Sequence, residues 1–210
     1  GSNTLRYAYA SYTFRHDKRD NVSYPTDGQL LQLSLTKYGI IYTDELDEVE
    51  VNLTANKYFK ISDKFHFNTG LTASQPYTLV RGIGYSPNFV RGYELNVVEG
   101  QQLYVFKNSF RWKFVDWNID ISHLVKLEQF NTIPIRLYLS ANFDNGYVKD
   151  RNNIPENAQL ANKYLIGYGT GIDLVGFYDN RLRCKDYKSR LYPYVSGEFY
   201  CKKSNLKTST

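Results

Sequence analysis

The chain has 210 residues, which sets one domain as the expectation. Its 20 Tyr, 12 Phe, 2 Trp and no Met favour pleated strands over helices. The net charge of +5 is scattered, with no basic stripe carrying stacking aromatics, so no nucleic-acid partner is expected, and no apolar run reaches the roughly 18–20 residues of a membrane-spanning helix.

That excludes helical membrane proteins but not β-barrels, whose spanning strands bury only alternate residues in lipid. No signal peptide is read at the start, and Gly1-Ser2 reads as a fusion scar or the cut end of a longer chain.

In chain order, strands are expected over 5–18, 29–40, 48–62, 64–75, 102–116, 119–129, 134–147 and 164–178, with a ninth over 181–200. The alternation is clean. Val49, Val51, Leu53 and Ala55 oppose Glu50, Asn52, Thr54 and Asn56. Phe65, Phe67, Leu71 and Ala73 oppose His66, Asn68, Gly70 and Thr72. Ile135, Leu137, Leu139, Ala141 and Phe143 oppose Arg136, Tyr138, Ser140 and Asn142. A period of two marks a strand with one apolar and one polar face.

Several of these strands exceed the usual five or six residues and match the roughly 9–11 that a tilted membrane strand needs. Connections alternate in style. Ser62-Asp63-Lys64 reads as a tight turn, whereas 76–101 and 148–163 are long, polar and rich in Gly, Asn or Pro. Short turns at one end and long loops at the other suit an outer-membrane barrel. Trp112, Trp117 and Tyr104 read as interface-belt aromatics. A soluble all-β binding module shows the same periodicity and stands as an alternative.

The stretch GYSPNFVRGYE (84–94) interrupts the alternation. Its Val90-Arg91-Gly92-Tyr93 resembles the VRGF/Y loop motif of the bacterial surface-antigen superfamily, the BamA/TamA-like outer-membrane assembly and translocation barrels. RHDKRDNVSYPTDG is similar to that family's D-x-R-D-N…P-x-x-G strand-end segment, through Asp17, Arg19, Asp20, Asn21, Pro25 and Gly28. ANFDNGYVKD resembles its F-x-D-x-G strand at Asp144 and Gly146, with the aromatic one place late at Phe143 and Asn142 where it is expected. GYGTGIDL (167–174) resembles its Gly-rich penultimate strand.

The resemblance implies an antiparallel transmembrane β-barrel meander of about eight strands, an incomplete barrel forming the C-terminal half. It implies residues 1–200 as the barrel domain and 201–210 as a polar tail. It further implies location in the bacterial outer membrane, and a part in inserting or secreting outer-membrane proteins. The implied partners are outer-membrane lipids, unfolded outer-membrane or secreted proteins, and periplasmic or lipoprotein accessory subunits. A barrel that anchors or exports a fused N-terminal enzyme domain is the second reading.

The resemblance also implies that the loop folds into the lumen and that its arginine contacts the inner wall. A guanidinium stays charged and offers a rigid fork of donors, and glycine permits close approach or positive φ, so both suit an anchor. The acidic partner usual on the next strand is replaced by Asn108 and Ser109, which leaves Asp144 as the expected partner of Arg91. Asp17, Arg19 and Asp20 are expected to form a salt-bridge cluster at the strand end. The C-terminus departs from the family: Pro193 suits a sheet interior badly, and neither Phe199 nor Tyr200 stands out as the closing aromatic.

No catalytic constellation is visible, and the chain reads as a non-enzyme without cofactor or metal. His16, His66 and His123 lack ligand spacing, and the carboxylates of DELDE (44–48) read as solvated. Cys184 and Cys201 are compatible with one disulfide in an oxidising compartment.

Overall fold

In a computed structural model, the described residues are 6–41, 46–76, 81–83, 88–93, 96–120, 132–152, 159–176, 181–189 and 200–204. They are all-β, with no helix among them. The strands are β1 (Tyr9–Asp17), β2 (Gly28–Tyr38), β3 (Glu48–Lys60), β4 (Phe65–Gln75), β5 (Arg81–Ile83), β6 (Val98–Gly100), β7 (Gln102–Asp120), β8 (Thr132–Lys149), β9 (Tyr164–Val175), β10 (Arg181–Ser189) and β11 (Tyr200–Ser204).

The main sheet runs β1-β2-β3-β4-β7-β8-β9-β10-β11, every neighbouring pair antiparallel. Side chains are described throughout β1–β4 and β7–β9. No ladder joins β1 to β11 among the described residues.

Four expectations change here. The strands expected over 102–116 and 119–129 are joined, because β7 continues through 117 and 118 to Asp120; residues 121–131 lie outside the described set. The register shifts between Lys113 and Val115, and this bulge keeps Phe114, Val115, Trp117 and Ile119 compatible with one apolar outer face. The expected ninth strand divides into β10 and β11, while 190–199, with Pro193 and Phe199, lie outside the described residues. The sheet continues to Ser204, four residues into the expected tail. Finally, the loop at 76–101 contains a two-stranded ribbon, β5 with β6. In the β10–β11 pairing Cys184 stands opposite Cys201, and Cys184 is disulfide-bonded.

The buried face of the sheet is the polar one and the exposed face the apolar one. Polar or charged side chains such as Glu50, His66, Ser74, Ser109, Arg111, Ser140, Asn142, Asp144 and Asp173 are buried on the concave face. Phe65, Tyr104, Phe106, Phe110, Trp112, Leu139, Phe143, Tyr168 and Ile172 are exposed on the convex face. The aromatics on that face fall in rows. Tyr104 faces Tyr147, which faces Tyr164, at the end carrying the 76–101 loop. Phe59, Phe67 and Phe110 form a second row, next to which Phe65 stacks on Trp112 at 6.3 Å.

The apolar core lies beneath the loops. Ile83, Val90, Tyr93 and Val98 come from the 76–101 segment, and Leu160 and Ala161 from the β8–β9 connection. They pack on Leu103, Val105, Val148 and Leu165 at the loop end of the concave face. This burial opposes the entropic cost of ordering a long loop.

Candidate functional site

The loop tip docks through its backbone as well as its side chains. Gly92 has φ 87°, a left-handed conformation that glycine takes at no steric cost. With it the chain turns, and the Tyr93 N–H donates to the Val90 carbonyl at 3.0 Å. Val90 and Tyr93 are fully buried on either side. The turn aims Arg91 at β8, where its Nη1 donates to Asp144 Oδ1 at 2.8 Å and its backbone N–H to Asp144 Oδ2 at 3.3 Å. Nη1 also donates to the Asn108 carbonyl at 3.3 Å. One carboxylate therefore holds both the side chain and the main chain of Arg91. Asp144 is fully buried, so the pair is desolvated and removal of either partner strands a charge.

Two glycines make room for this tip. A Cβ on Gly167 would sit 1.6 Å from the Arg91 carbonyl oxygen, and one on Gly146 would sit 2.4 Å from a Val90 methyl. The glycine of the F-x-D-x-G pattern and the first glycine of the Gly-rich strand thus shape a groove for Val90-Arg91. Phe89 adds a further contact, with the Lys107 ammonium 3.9 Å from its ring centroid.

The strand-end motif forms a second compact unit at the opposite end. Arg19 forks onto Asp17, with Nε donating at 2.8 Å and Nη2 at 2.6 Å, and Arg15 adds a bond at 2.9 Å. The Arg19 and Arg15 guanidinium groups hold the Asp17 carboxyl well below the usual carboxylate range. Asp20 stands outside this ion-pair cluster, which corrects the expectation for it. Its carboxylate accepts from the Thr26 hydroxyl at 2.5 Å and the Thr26 N–H at 2.9 Å. Burial pushes the Asp20 carboxyl up, but these bonds and neighbouring backbone N–H groups outweigh burial and hold it below its ordinary value. Asn21 Oδ1 accepts from the N–H groups of Ser23 and Tyr24 at 2.7 and 2.9 Å. Gly28 has φ 101°, and a Cβ there would lie 2.0 Å from the Lys18 carbonyl oxygen.

The structure thus joins Arg91, Asp144 and Gly146 in one site and Asp17, Arg19, Asp20, Asn21, Pro25 and Gly28 in another. Asn142 and Phe143 occupy opposite faces of β8. Asn142 accepts from Ser109 Oγ at 2.6 Å on the concave side, and Phe143 is exposed on the convex side. His123 lies outside the described residues, and no cluster of three or more His, Cys, Asp or Glu able to hold a metal is present among the described residues.

Sequence reasoning missed the Asn108 carbonyl, because any residue type supplies one. It also missed Tyr24, Arg111 and Asp173, whose association spans most of the chain; an inward arginine in an alternating strand was the available signal at Arg111. The chain matches no protein-family model and no curated protein.

Proposed function

We propose that this chain is a wall segment of an outer-membrane β-barrel of the assembly and translocation superfamily, with the VRGY loop folded onto its luminal face. The observation carrying this reading is the inverted sheet: large apolar side chains outward, polar and charged side chains inward. A soluble sheet must cover its apolar face, whereas lipid covers that of a barrel strand. From Tyr104 to Trp117, β7 runs about 40 Å at ~3.3 Å per residue, and a tilt of ~40° brings this to about 30 Å, the thickness of a bilayer core.

The loop dock supports the assembly and translocation role in particular. A barrel that moves polypeptides without a nucleotide must combine a yielding seam with a braced wall. The Arg91–Asp144 pair ties the loop to β7 and β8 and so braces this wall. The partners proposed on this reading are outer-membrane lipids and unfolded outer-membrane or secreted proteins, joined by periplasmic or lipoprotein subunits.

Expression with native upstream sequence, followed by fractionation, tests the membrane reading. A heat-modifiable band in outer membranes, extracted only by detergent, is the expected result. A folded monomer in aqueous buffer would overturn it.

A further inference from the structure

A cavity of about 660 Å³ opens at the turn end of the concave face. Its cations are matched by carboxylates: Lys60 pairs with Asp63, while Lys113 and Arg136 both pair with Asp116. A charged ligand would compete with these pairs, so the cavity does not define an anion or cation site. Its wall is more informative. One side of it is the β1–β2 connection, which supplies Asp20, Asn21, Tyr24 and Thr26.

This connection does not project outward as a plain turn would. It folds inward, with Tyr24 only 5 % exposed. The Tyr24 hydroxyl donates to Asp173 Oδ2 on β9 at 3.0 Å. Its ring lies 4.8 Å from that of Tyr138 on β8. The Arg111 guanidinium of β7 sits 4.5 Å from the Tyr24 ring centroid and donates to the Pro25 carbonyl at 2.9 Å. None of these three strands neighbours β1 or β2 in the sheet. The contacts therefore cross the concavity.

We propose that residues 18–27 are a preformed latch that narrows the turn-end mouth of the concave face, with Tyr24 as its pin and Arg111, Tyr138 and Asp173 as its catch. The latch keeps its shape through internal bonds. Asp20 holds Thr26, Asn21 holds Ser23 and Tyr24, and Arg19 holds Asp17 and the Val22 carbonyl. Its grip on the far wall runs through Tyr24 and Pro25. A unit that is firmly bonded within itself and attached across the concavity at a small patch swings as a body when the patch releases, with Gly28 at its base. On the barrel reading this mouth faces the periplasm, so the latch controls entry from that side. The latch itself depends only on the concave face and stands or falls separately from the membrane reading.

Thiol accessibility tests it on the full chain. No free cysteine is present among the described residues, so Ser140→Cys on the concave face supplies one reactive thiol. Tyr24→Phe removes the bond to Asp173 and should raise labelling by a charged maleimide about tenfold; Tyr24→Ala should raise it about a hundredfold. Val105→Cys, under the loop at the other end, should keep its rate. The backbone amides at positions 23, 24 and 26 should stay protected from hydrogen exchange in Tyr24→Ala, as expected of a latch that moves whole. Unchanged labelling at residue 140 overturns the proposal, and so does an equal rise at residue 105, which marks general loosening. If Tyr24→Ala does not fold, Tyr24→Phe decides. A soluble or a membrane-extracted protein gives the same readout.

Discussion

Asp144 accepts hydrogen bonds from both the guanidinium and the backbone N–H of Arg91, one on each carboxylate oxygen. The loop tip is thus held in position and in orientation by a single buried side chain 53 residues away in sequence. The neighbouring Gly146 and Gly167 allow the approach that makes those distances possible.

Removing one partner of a buried ion pair costs about 3–5 kcal/mol, because the other charge is left uncompensated. Arg91→Ala should therefore lower resistance to urea by that order and expose the 76–101 loop to protease. Replacing both residues, Arg91→Met with Asp144→Leu, should recover part of the loss. A urea midpoint and a cleavage rate matching the parent in Arg91→Ala would refute the anchor.

Gly167→Ala should act as strongly as the loss of Arg91. Its Cβ meets a backbone carbonyl at 1.6 Å, which cannot move without expelling the tip. Gly70→Ala serves as the comparison. There the nearest atom, at 2.1 Å, is the end of the flexible Asn56 side chain, which can rotate away. Limited proteolysis of the two variants side by side should show loop release only in the first; equal behaviour would count against the groove.

The convex face predicts a sign. Leu139→Arg, near the middle of the outward aromatic band, should cost about 2–4 kcal/mol when folding is measured in phospholipid vesicles. In a soluble protein the same change at an exposed leucine would be close to neutral or would improve solubility. Unimpaired insertion into vesicles would contradict the lipid-facing assignment.

At the strand end, Arg19 and Arg15 lower the Asp17 carboxyl in the folded protein. A lowered folded value means that this stabilisation is complete above the unfolded carboxylate range, near 3.9, and disappears as pH falls through the lowered one. Carboxyl NMR should show Asp17 still ionised at about pH 3.5, below its ordinary midpoint. Arg19→Gln should return its titration most of the way to normal. An ordinary midpoint in the parent protein would remove the Arg19–Asp17 fork from the account.

Alternation was enough to locate β2, β3, β4, β8 and β9, because strands with one apolar face write their period of two directly into the chain. The same pattern marked which residues share a face, whereas Arg91 and Asp144 were picked out only by the resemblance of their short motifs to a known family. Alternation could not follow β7 through its bulge, where one extra residue breaks the period while the strand continues. It also could not show which face is buried in the folded chain, since the period of two marks the two faces without ranking them. Tertiary structure decided this by placing Ser109, Asn142 and Asp144 inside and Phe110, Trp112 and Phe143 outside. The Asn108 carbonyl, the fit at Gly167 and the reach of Tyr24 to Asp173 were likewise decided there. A backbone acceptor, an absent Cβ and a contact across a curved sheet arise only when distant segments meet in space.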